Sequence, residues 1–292
     1  MPERPSQSDS VDGSGGDPTG GPKGGPGRAG EADPLAARSA RAFWAFGWYL
    51  RWYVWRKFHA VRLSRAGVPV VPPGRPVIIY SNHPSWWDPA LYMLLCGRLF
   101  PDRAGYGPME ARALGKYGLL ERMGVFGIEL DSPRGAARFL STSLRVLSDP
   151  RSSLWITAEG AFTDHRVRPV RLRPGLAHLA RRVPGVTILP LALEYTFWNE
   201  SRPEALARFG PPIEGGARRG VAEWNALLED ELTRTMDALA AESLARDPAL
   251  FRPLVRGRAG VGGIYDLYRR ARAAAAGRRF DPSHEGRDRT RP

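Results

Sequence analysis

The sequence predicts an α/β fold, a mixed central sheet flanked by helices, and two patterns carry that expectation. Short apolar runs of strand character recur at Val77–Tyr80, Leu154–Thr157 and Val186–Tyr195, lengths that suit buried strands. Stretches of helical character follow them: the apolar run opened by Pro89, then Leu176–Arg182, then Val221–Ala245. In the last of these, Leu227, Leu228, Leu232, Met236 and Leu239 recur at helical spacing and read as core packing.

A chain of 292 residues accommodates one substantial domain and a small accessory one. Met1–Asp33 consists mostly of Pro, Gly, Ser, Asp and Glu, which bury too little surface to offset the entropy of ordering the chain. Residues 1–37 are therefore expected as a disordered tail, residues 38–65 as an aromatic and basic interfacial helix, residues 66–247 as the main domain, and residues 248–292 as a basic C-terminal helix and tail. The last basic helix is expected over Gly262–Ala275.

The net charge of +13 calls for a polyanionic partner: nucleic acid, an anionic membrane or an acidic carrier protein. No nucleic-acid-binding motif is recognisable, so no nucleic acid is expected. One cysteine, Cys96, leaves no internal disulfide and fits a reducing compartment. Neither paired Cys nor clustered His stands at metal-ligand spacing, so no metal is expected. No signal-peptide pattern is visible, and no window reaches the ~20 apolar residues that span a bilayer. The nearest candidate, Ala42–Leu50, is interrupted by Arg51. The expected location is peripheral, on the cytoplasmic side of a membrane.

The membrane expectation rests on Ser39–Phe58, SARAFWAFGWYLRWYVWRKF. On a helix, Trp44, Trp48, Trp52 and Trp55 share one stripe. Tryptophan joins an apolar body to a polar N–H and favours the headgroup layer. Arg51, Arg56 and Lys57 add attraction to anionic lipid, about 1 kcal/mol per charge near the surface. The alternative is a helix packed in the core, with Arg51 paired to an acid.

The chemistry concentrates where Val77–Tyr80 ends in Ser81-Asn82-His83-Pro84 and Pro89 opens the next helix. In α/β proteins, reactive groups lie outside the carboxyl ends of strands. His83 and Asp88, five apart, would diverge by about 140° on one helix. Pro84 and Pro89 allow a turn that brings them together. A histidine so held by a carboxylate is the base half of a triad. The plainer alternative makes Asp88 a helix N-cap and His83 an ordinary turn residue.

This stretch resembles the glycerolipid acyltransferase family, which includes the lysophosphatidic acid (1-acylglycerol-3-phosphate) acyltransferases. Asn82, His83, Ser85 and Asp88 match the family's Asn-His-x-x-x-x-Asp motif with its Ser two places after the His. The resemblance implies a glycerol-3-phosphate acyltransferase-like fold and a role in phospholipid biosynthesis. It implies His83 as general base, Asp88 as its orienting partner, and Asn82 and Ser85 at the substrate. The donor would be acyl-CoA or acyl-carrier protein, a co-substrate with no further cofactor; the acceptor would be a lipid hydroxyl.

Three further blocks follow in family order. Gly124–Leu130 corresponds to a strand that ends in a phosphate-binding arginine, but Leu130 stands in that place, and Arg134 is the nearest substitute. Glu159 and Gly160 match the third block, whereas Ala161 and Phe162 replace its Thr-Arg. Leu172-Arg173-Pro174-Gly175 resembles the Phe-Lys-x-Gly before the next helix, and Val186–Tyr195 with Pro190 fits the fourth block. Both family arginines are thus absent, and a phosphate monoester wants arginine partners. Arg166, Arg168, Arg171 and Arg173 are the candidates to replace them; alternatively the acceptor carries no phosphate at this site.

Overall fold

A computed structural model describes residues 33–260, 263–277 and 279. In chain order the elements are α1 (Pro34–Ala37), α2 (Ala40–Lys57), β1 (Ala60–Ser64), β2 (Val77–Ser81), α3 (Asp88–Leu99), β3 (Ala104–Glu110), α4 (Ala111–Leu114), β4 (Val125–Ile128), α5 (Pro133–Leu147), β5 (Ser152–Thr157), α6 (Gly175–Arg182), β6 (Thr187–Thr196), β7 (Glu204–Phe209), β8 (Ile213–Glu214), α7 (Val221–Ala245), β9 (Phe251–Arg256) and α8 (Gly263–Ala275). Nine strands form one mixed sheet ordered β4-β3-β5-β2-β6-β7-β1-β9, with β8 pairing β6 from the side. From β4 to β6 the strands run parallel; β7 turns back against β6, β1 follows β7, and β9 reverses again. The predicted fold class is the observed one.

Helices cover both faces, which is why the central strands are apolar throughout. Strand β2 shows the alternation: Ile78 and Tyr80 enter a core shared with Leu176, Leu179, Leu228 and Leu232. Its neighbours Val77 and Ile79 enter a second core on the other face, with Phe43, Val54, Leu91 and Leu95. Sequence-local chemistry starts several helices. Ser39 Oγ accepts from Ala42 N and Ser132 Oγ from Gly135 N, each filling an N-terminal orphan, while Pro89 and Pro133 stand in first turns where no N–H is missed.

The structure corrects the expected segmentation at both ends. Within the expected tail, residues 33–37 carry the helical turn α1, fixed by Asp33 Oδ1 accepting from Leu35 N and by an Asp33–Arg145 ion pair of 2.6 Å. Residues 1–32 lie outside the described residues. Ala60–Ser64, placed in the interfacial helix, is strand β1; its Arg62 masked the apolar pattern and is buried against Glu204 at 2.8 Å. Phe251–Arg256, placed in the basic tail, is the sheet's outer strand, where Pro253 and two arginines are tolerated.

Helix α2 lies on α3 through Phe43, Leu50 and Val54, and turns all four tryptophans to solvent. Trp48 is 83% exposed and Trp52 51%. Arg51 is exposed and has no acid partner among the described residues. A core-packed helix with a paired Arg51 is therefore not what the chain forms. No described helix is long and apolar enough to cross a membrane.

Candidate active site

Strand β2 delivers Ser81 to the carboxyl edge of the sheet, and the turn beyond it folds back as the two prolines allow. His83 Nδ1 lies 2.7 Å from Asp88 Oδ2. Asp88 is the first residue of α3 and is fully buried; its side chain is not a helix cap. Its Oδ2 also accepts from Ser85 N at 3.2 Å, and its Oδ1 accepts from Tyr195 Oη at 2.6 Å. With four bonding positions largely filled and no water access, the carboxylate holds one orientation. The imidazole is therefore fixed with Nδ1 as the donor, and Nε2 has no partner among the described residues. The His83 side chain keeps 15% of its surface exposed.

The next shell comes from distant chain. Glu159 Oε2 accepts from His83 N at 2.6 Å, and His83 O accepts from Thr163 N at 3.0 Å. Burial pushes the Glu159 carboxyl above its usual range, opposed by the His83 N–H it accepts. Phe162 lies against the His83 ring at 4.3 Å between centroids and is itself exposed. Tyr92 Oη bonds Ser81 Oγ beneath the turn. Burial, then the nearby Asp88 charge, raises both the Tyr92 and Tyr195 phenols, so each remains a proton donor. Among the described residues no three or more His, Cys, Asp or Glu cluster in a way that could hold a metal ion.

The other expected substrate residues are sorted differently. Asn82 is fully buried, and its amide is spent on one backbone: Nδ2 donates to Leu193 O and Oδ1 accepts from Leu193 N, both at 2.9 Å. It ties the end of β2 to β6, and both ends of its amide are bonded there. Ser85 acts inside the turn, its Oγ accepting from Trp87 N at 3.2 Å. Gly160 sits at φ +71, and a Cβ there would collide with the Arg173 side chain lying across it.

The four arginines after the third block do not converge on one point. Arg166 binds Asp164 at 2.8 Å, Arg168 binds Asp237 at 2.6 Å and Arg171 approaches Glu229 at 3.5 Å. Glu229 and Asp237 stand eight residues apart on α7, about 12 Å along its axis. Arg173 crosses Gly160 at the catalytic strand ends and meets Asp131 at 2.6 Å, while Arg168 lies near enough to Glu159 for its charge to act on that carboxyl. Arg134 is exposed in the first turn of α5 and has no partner among the described residues.

Tyr195 was not singled out from sequence, where it closed an apolar run. Tyr195→Phe removes one charge-assisted hydrogen bond from Asp88, an interaction of about 1.5–3 kcal/mol. The expected result is a fall in kcat of roughly tenfold or more with KM little changed, read from steady-state acyl transfer. An unchanged kcat would assign Tyr195 to packing alone.

These features define a class: a strand-end histidine backed by a buried carboxylate, in a mixed α/β sheet. Residues 62–194 match the Acyltransferase family model. Among solved structures it is similar to the 1-acyl-sn-glycerophosphate (LPA) acyltransferase PlsC from Thermotoga maritima, at 15% identity and a TM-score of 0.48, over 69% of this chain and 79% of that one. No curated protein matches the chain.

Proposed function

We propose that the protein moves a fatty acyl group from acyl-CoA or acyl-carrier protein to the hydroxyl of a lysophospholipid or related lipid alcohol, while bound peripherally to an anionic membrane on its cytoplasmic side. The observation that carries the mechanism is the 2.7 Å His83–Asp88 contact, which leaves Nε2 at the strand end with no partner among the described residues. In this reading Nε2 removes the acceptor's hydroxyl proton as its oxygen attacks the thioester carbonyl. Asp88 stabilises the imidazolium that forms, and the thiol leaves with that proton. Arg173, across Gly160, is the guanidinium best placed to meet an acceptor phosphate. Incubating the purified protein with each donor over a panel of lysolipids and lipid alcohols, with mass spectrometry of the products, tests this. Formation of no ester from any pair would refute it, and turnover confined to acceptors without phosphate would remove Arg173 from the reading.

The exposed tryptophan face of α2 supports the membrane half of the proposal. Its aromatics run on toward the site: Tyr49 stacks on Tyr53 at 6.0 Å, and Tyr53 meets Trp87 at 5.4 Å, one residue before Asp88. Trp48 and Trp52 together would bury enough apolar surface in a headgroup layer that their loss weakens vesicle binding about a hundredfold. The double variant Trp48→Ala/Trp52→Ala should show this by co-sedimentation while melting as the wild type does, since neither ring is in the core. Binding equal to wild type would take α2 out of the interface.

A further inference from the structure

A second cationic feature lies beyond the catalytic turn, at the same edge of the sheet. Ala60 at the start of β1 pairs with Glu204 at the start of β7 and with Arg256 at the end of β9. Glu204 in turn pairs with Thr196 at the end of β6, a strand parallel to β2. Three arginines flank these junctions, Arg56 at the end of α2, Arg202 two residues before β7 and Arg258 two residues after β9. Their segments are tied together by His59 N donating to Pro203 O, Gly257 N to His59 O and Ser201 Oγ to Gly260 O, which puts Arg202 within reach of the charges of the other two. The Arg258 guanidinium lies over the Trp55 ring at 5.8 Å, and the Arg56 guanidinium over Trp52 at 5.3 Å. Both tryptophans are exposed.

The cluster lacks its counter-charge among the described residues. The two nearest carboxylates in sequence are committed elsewhere: Glu204 binds His59 at 2.5 Å and Arg62 at 2.8 Å, and buried Glu200 accepts from Gly260 N at 2.8 Å. Arg202 Nη1 is buried with no hydrogen-bond partner. Burial, then the charges of Arg258 and Arg56, depress the Arg202 guanidinium. Three like charges held together beside exposed indoles, one with an unspent buried donor, need an anion.

We infer that Arg56, Arg202 and Arg258 form a binding site for the phosphate of an anionic membrane lipid, distinct from the acceptor being acylated. The inference rests on the membrane reading above and adds which headgroups the docked protein selects. A lipid suits the cluster better than an acidic protein, because the rings that frame the guanidiniums belong to the same exposed indole face. It is separate from the acceptor site in its contacts: among the described residues no hydrogen bond or ion pair joins Arg56, Arg202 or Arg258 to His83 or Asp88, whose partners are Tyr195, Ser85, Glu159 and Thr163. Occupied, the site would set the catalytic turn level with the headgroups, because both lie on one sheet edge.

The test uses the full chain and vesicles of phosphatidylcholine with or without phosphatidylglycerol, at low salt. Wild type should bind the anionic vesicles about a hundredfold more tightly, a preference of the size three interfacial charges provide. Arg56→Gln/Arg202→Gln/Arg258→Gln should lose that preference yet keep its binding to phosphatidylcholine. The single variant Arg258→Gln, at an exposed position, should bind the anionic vesicles about five- to tenfold more weakly. Removing Arg151, Arg181 and Arg182, at the opposite edge of the sheet, should leave most of the preference intact. A triple variant that keeps full preference overturns the site, as does one that loses only its activity with acyl-carrier protein. Wild-type binding without headgroup preference overturns the site and spares the membrane reading; no binding to either vesicle sinks both.

Discussion

His83→Ala is expected to lower acyl transfer by about 10²–10⁴-fold, the usual worth of a positioned general base. The side chain is partly exposed, contributes to no core cluster, and its backbone bonds to Glu159 and Thr163 survive the change. Asp88 keeps its bonds to Tyr195 and Ser85, and the space left by the imidazole admits water to its Oδ2. Melting should therefore shift by only a few degrees, and the rate loss should appear in kcat. Retained activity, or loss of the cooperative melt, would remove His83 from the base role.

Asp88→Asn should cost roughly 10³–10⁴-fold, for a different reason. An amide can accept from Nδ1–H through its oxygen, but it brings no negative charge to the imidazolium formed during transfer, and it offers an N–H that favours the wrong tautomer. The buried pocket makes the charge matter more, since water cannot substitute for it. Tyr195 Oη and Ser85 N both donate to Asp88, so an Asn oriented to satisfy one leaves the other facing an N–H donor. Some loss of stability is expected as well. Parallel rate and melting measurements separate the two: rate lost in proportion to unfolding alone would reduce Asp88 to a structural anion.

What was legible in the sequence was what neighbouring residues decide. Strand β2, the turn after it and helix α3 could be read because an apolar run, two prolines and a polar dipeptide lie within a dozen residues. The convergence of His83 and Asp88 followed from the same local logic. The support for that pair was not legible. Tyr195 reaches Asp88 across 107 positions and Glu159 reaches the His83 backbone across 76, and no periodicity encodes such meetings. Asn82 shows the converse: it belongs to the motif, yet the edge of β6 claims both ends of its amide. The arginines after Glu159 are close in sequence but not in space, because each goes to a different acid: Arg166 to Asp164, Arg173 to Asp131, and Arg168 and Arg171 to Asp237 and Glu229, two helical turns apart on α7. Strands β1 and β9 escaped notice because Arg62 and Pro253 break their apolar patterns, and only the sheet shows why each is tolerated.

The reaction itself is tested most directly by following both products of one incubation of the wild-type protein, a thioester donor and a lipid alcohol. Free thiol and new ester should appear in equal amounts, and thiol release should depend on the acceptor. Thiol released at the same rate without any lipid alcohol, or released with no ester formed, would contradict acyl transfer to a lipid hydroxyl.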